Sequence, residues 1–135
     1  MEAHELPDMS ERAVSEIMTT PVLTVDPDTP VADIAGAMRA EGINSIVVVS
    51  EDCQPEGLLT STDFVAIVAD EGTNPETTVG EWTTTDVVTV EPTTTVARAA
   101  ALMTEHGVSH LPVVDGEVTG IVTATDVTAS LAADM

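Results

Sequence analysis

The chain is 135 residues long, and its 24 acidic residues against three arginines and no lysine leave a net charge of −21 at pH 7. That length holds one compact domain, or two half-domains sharing an interface, and excludes a large multidomain enzyme. The charge excludes a nucleic-acid or anionic-membrane surface, which needs clustered cations, and the 43% hydrophobic content excludes an acidic disordered tail.

Residues 1–13 read as an N-terminal arm without the basic start and apolar run of a signal peptide, and no stretch approaches 18 uninterrupted apolar residues. The only cysteine, Cys53, cannot form an intramolecular disulfide. A cytoplasmic protein is expected. Val22-Leu-Thr-Val25 then alternates as a short strand, and Asp26-Pro-Asp-Thr-Pro30 supplies a turn and a helix start. A helix follows over 30–41, where Val31, Ile34, Ala35 and Met38 recur with the spacing of one buried face, and Gly42 ends it. Ile46–Val49 and Gly57–Thr60 read as buried strands around a turn, and a closing helix begins at about Thr62.

The chain then repeats itself. Shifted by 65 residues, block 14–49 lies on 79–114 with 16 of 36 positions identical. After a two-residue shortening the register becomes 63, and Gly57-Leu-Leu-Thr-Ser-Thr-Asp63 falls on Gly120-Ile-Val-Thr-Ala-Thr-Asp126. The second copy therefore predicts strands near 87–90, 111–114 and 118–123 and helices near 95–106 and 126–133. The organisation read from this is an arm (1–13), a first repeat (14–70), a linker (71–78) and a second repeat (79–135).

The chemistry concentrates at the end of each copy. Thr60, Thr62 and Asp63, with Thr123, Thr125 and Asp126, put two hydroxyls and a carboxylate where a strand runs into a helix start. Free helix N–H groups and hydroxyls suit phosphate or polyol oxygens, and an ionised aspartate suits a donor pair such as a ribose diol. The same residues are also explained without a ligand, Thr62 as an N-cap and Asp63 as a first-turn acid. No Ser-His-Asp or Cys-His spacing suggests catalysis, and His106 and His110 straddle Gly107 and do not share a helix face, so no metal site and no enzyme are expected.

Each copy resembles a CBS (cystathionine-β-synthase-type) domain. The likeness rests on Ile17-Met-Thr-Thr-Pro-Val-Leu-Thr-Val25, the Pro-x-x-x-Val helix start, Leu111-Pro-Val-Val-Asp115 and the closing Gly-hydrophobic-hydrophobic-Thr-x-Thr-Asp. The first copy departs in lacking proline within Ile46–Val49, and Thr83 stands where the first copy has Met18. The resemblance implies an α/β fold of two pseudo-symmetric β-α-β-β-α repeats packed as one module. It implies adenosyl ligands, with Asp63 and Asp126 on the ribose and the threonines near ribose or phosphate. Thr19, Thr20 and Val22, with Thr84, Thr85 and Val87, would line the adenine. His110 stands where the family often carries a basic residue reaching the phosphate at the other repeat, and Ser45 would reach the second site in the same way. The first site would then prefer phosphorylated adenosines, and the second a ligand without phosphate.

The expected function is a regulatory sensor of an adenosine-containing ligand (AMP, ADP, ATP, NAD or S-adenosylmethionine) without a resident cofactor, working as a homodimer on a regulated protein. The alternative is a structural interaction module with empty clefts. The acidic composition resembles that of proteins from extreme halophiles, because at molar salt the screening length falls to about 3 Å and self-repulsion fades. The melting temperature should therefore climb steeply from 0.1 to 3 M KCl; a flat profile would contradict the halophilic reading.

Overall fold

The computed structural model describes residues 11–20, 22–71, 76–83 and 87–134. The fold runs β1 (Thr24–Val25), α1 (Val31–Glu41), β2 (Ser45–Val49), β3 (Pro55–Thr60), α2 (Ser61–Glu71), α3 (Val96–His106), β4 (His110–Asp115), β5 (Glu117–Thr123) and α4 (Ala124–Asp134), with short 3-10 turns at Val14–Glu16 and Val79–Glu81. Among the described residues no helix is long and apolar enough to cross a membrane.

These elements form two compact units, a central one of residues 23–87 and a terminal one of residues 1–22 with 88–135. Sequence repeat and compact unit are thus cut at different points. In the central unit β1 runs parallel to β2, β2 pairs antiparallel with β3, and the buried face of α1 (Val31, Ile34, Met38) meets Ile46, Val48, Leu59 and Ile67. The core is completed by Val79, from the opening of the second repeat, which is fully buried. Backbone bonds seat that segment: Val79 N on Thr29 O at 2.9 Å, Gly80 N on Pro27 O at 2.9 Å, and Val31 N on Thr77 O at 2.8 Å. Thr78 N and its hydroxyl donate to Glu81 Oε2 at 2.9 and 3.0 Å, and these bonds, the backbone one foremost, hold the Glu81 carboxyl below its usual range.

The terminal unit repeats the plan with the opening of the first repeat. Val14 is fully buried among Val90, Ala99, Met103, Leu111, Val113 and Val122. Val14 N bonds Thr94 O, Val96 N bonds Arg12 O, both at 2.8 Å, and the Arg12 guanidinium donates to the buried Ser130 hydroxyl at 2.9 Å. Met103 belongs to this core, as its helical spacing suggests, and Trp82 packs half-buried against the central one.

Both middle helices stop as expected, at Gly42 and Gly107, whose φ of 68° and 64° only glycine adopts without strain. The strand expected at 87–90 is reduced to a single parallel bridge, Val90 with Val113. The cause is Pro112. Its counterpart Val47 donates its N–H to Leu23 O at 3.0 Å and extends β1, whereas a proline has no N–H for the matching Val88 carbonyl.

A Cβ at Gly80 would lie 2.9 Å from Pro27 O, a backbone atom that cannot swing aside. Gly80→Ala should therefore lower stability by about 1–3 kcal/mol in chemical unfolding. Gly36→Ala on α1, where no atom lies within 4 Å, should instead raise it by about 0.5–1 kcal/mol. Equal effects at the two positions would show that the Gly80 seat is not tight.

Candidate functional site at the strand-to-helix corners

In both units the last strand turns into the last helix with no intervening loop, β3 into α2 at Thr60–Ser61 and β5 into α4 at Thr123–Ala124. In the terminal unit Thr123 N donates to Asp126 Oδ2 at 2.9 Å, and Asp126 N donates back to Thr123 Oγ1 at 3.0 Å. That is a reciprocal capping box with Thr123 in the N-cap position and Asp126 at the third helical residue. In the central unit Thr60 N and Thr60 Oγ1 both donate to Asp63 Oδ2, at 2.8 and 3.2 Å. The cap assigned from sequence to Thr62 therefore falls two residues earlier, because the strand feeds the helix directly and Thr60 still carries the extended backbone an N-cap needs.

Each corner is pinned from the side. Ser61 N donates to Asn44 O at 3.0 Å, and at the matching place Ala124 N donates to Ser109 O at 2.9 Å. Hairpin register sets Ser45 opposite Thr60 and His110 opposite Thr123, and directly opposed residues share a face of the sheet. Each thus lies beside the corner of its own repeat. His110 Nδ1 also sits 3.0 Å from Ser109 Oγ.

The other residues singled out from sequence are placed as follows. Thr62 and Thr125 are exposed on the first turns of α2 and α4. Thr20 is exposed, and Val22 and Val87 are half-buried. Thr84 and Thr85 lie outside the described residues. Thr19 is brought to the second repeat's corner: its Oγ1 lies 3.2 Å from both Asp126 oxygens, and its backbone pairs with Ile121 through bonds of 2.8 and 3.2 Å. Sequence gave no signal of this pairing across 107 residues, nor of Gly120, where a Cβ would lie 2.6 Å from Met18 Sδ and 3.2 Å from Thr19 O. Among the described residues no group of His, Cys, Asp and Glu is arranged to hold a metal ion.

Residues 14–70 and 79–133 each match the family of CBS domains. The chain belongs to the CBS-domain family. One relative, a protein of Methanopyrus kandleri, is 36% identical over 122 residues, which cover 88% of this chain and 62% of that protein. The chain thus spans about three-fifths of that relative's length. A solved CBS domain pair in complex with 5′-methylthioadenosine and S-adenosyl-L-methionine superposes with a TM-score of 0.82 at 26% identity, covering 91% of this chain and 98% of that one. A CBS-domain protein of Burkholderia ambifaria ascribed to signal transduction superposes at 0.80 with 32% identity, covering 91% and 96%. The mixed α/β architecture with two β-α-β-β-α repeats is that of the CBS pair.

Each CBS repeat ends on its Thr–Asp corner, and what the corner offers chemically is a carboxylate whose position is fixed by backbone. The caps have a structural value of their own. Thr123→Ala should cost about 1 kcal/mol of stability, while Thr123→Ser, which keeps the acceptor oxygen, should cost much less; equal losses would show that the hydroxyl does not cap α4.

Proposed function

We propose that this CBS pair is a regulatory module, without catalytic activity of its own, that binds an adenosine-containing ligand of the AMP, ADP, ATP, NAD or S-adenosylmethionine class at its Thr–Asp corners. The observation that carries the reading is the recurrence of one arrangement in both units: a carboxylate held by the N–H of the preceding threonine, at the mouth of a helix whose first turn exposes a second threonine. A carboxylate accepts and cannot donate, so it complements the adjacent hydroxyls of a ribose. The adenosyl ligands of the CBS pair of like fold support the same class here. His110 supplies a group able to carry positive charge toward a phosphate in a chain that otherwise repels anions. Such a ligand regulates only by binding one conformation better than another.

The module works as a homodimer in this reading, in the cytoplasm and on a regulated protein. Val65 (71% exposed) and Val68 on α2 and Leu131 on α4 leave apolar side chains in solvent, and Val68 and Leu131 are equivalent positions of the two repeats. Neither Phe64–Ala69 nor Val127–Ala133 carries a charge. Each of these helices separately offers a second copy of a chain at −21 an uncharged stretch to dock on.

Calorimetric titration of AMP, ADP, ATP, NAD and S-adenosylmethionine in molar KCl tests the ligand reading. Asp63→Ala and Asp126→Ala should each weaken binding at their own corner by about 1–3 kcal/mol with the fold intact. Undiminished affinity in the double variant would reject these sites, and no binding of any adenosine compound would leave the structural interaction module.

A further inference from the structure

The Thr19 side chain, from a distant part of the chain, bonds the Asp126 carboxylate. Its single hydroxyl proton is shared between Oδ1 and Oδ2, each 3.2 Å away, while Oδ2 also takes the Thr123 N–H at 2.9 Å. Thr19 cannot drift from this place. Its N–H and carbonyl are both bonded to Ile121, and Gly120 gives the segment room to lie flat on β5. Rotation about its own Cα–Cβ bond releases the carboxylate without moving the backbone.

We propose that the Thr19 hydroxyl is an internal competitor for the ligand at the terminal unit, occupying the place that the adjacent hydroxyls of a sugar would take. The inference rests on the adenosine reading above and sharpens the ligand class. A ligand with two neighbouring hydroxyls gives each carboxylate oxygen a full hydrogen bond in exchange for one shared proton, and so gains on displacing Thr19. A ligand with one hydroxyl returns no more than Thr19 already provides. The site therefore selects vicinal diols, and Thr19 sets the concentration at which it fills. Thr19 positions and gates; it is not a group that the ligand needs.

The test uses the full chain carrying Asp63→Ala, so that titration reports the terminal unit, with AMP as the probe in molar KCl. Thr19→Val keeps the side-chain shape and the backbone bridge but removes the donor, and Thr19→Ser keeps the donor. Thr19→Val should bind AMP about threefold to tenfold more tightly, the worth of one hydrogen bond no longer displaced, while Thr19→Ser should bind as the parent does. A gain in affinity cannot arise from damage to the fold. Equal or weaker AMP binding by Thr19→Val, in a chain whose parent binds AMP, overturns the competitor role alone; absence of AMP binding in both the parent and Thr19→Val overturns this inference, and the adenosine reading falls with it only where the unsubstituted chain also binds none of AMP, ADP, ATP, NAD and S-adenosylmethionine.

Discussion

Val14 and Val79 are both completely buried, and each lies in a core whose other members come mainly from the opposite repeat. Removing such a side chain from water contributes about 2 kcal/mol, and the backbone bonds that flank it satisfy groups which would otherwise be buried unpaired. The openings of the two repeats are thereby exchanged. Neither sequence repeat contains a complete core of its own: each compact unit is finished by the opening of the other repeat.

The exchange also builds the site. Without the first repeat's opening laid on β5 at Ile121, Thr19 would have no route to Asp126, and Gly120 would have no reason to lack a side chain. The corner serves two ends at once, since the bonds that cap the last helix also orient the carboxylate. In a chain of 24 acids, a fixed acceptor suits neutral hydroxyl donors without burdening the charge balance, whereas an anionic group needs local positive charge.

Much of this was legible in the sequence. The internal 65-residue shift, the i, i+3, i+4, i+7 spacing over 31–38 and the glycines at 42 and 107 fix both middle helices, and the closing motif points to Asp63 and Asp126. The missing ladder at 87–90 was in principle readable from Pro112, whose lack of an N–H decides it. Three features were not readable. Periodicity reports which face of a segment is buried, never which sheet buries it, so the exchanged openings and the Thr19–Asp126 contact stayed hidden. The helix cap moved from Thr62 to Thr60 because propensity cannot tell a loop from a strand that runs straight into a helix.

The central claim is that the carboxylates of Asp63 and Asp126 receive the sugar of an adenosine ligand. A crystal structure grown from molar KCl with AMP or S-adenosylmethionine addresses it most directly. The account predicts ribose hydroxyls within hydrogen-bond distance, about 2.5–3.0 Å, of Asp63 or Asp126. A ligand bound with its ribose away from both carboxylates would contradict it.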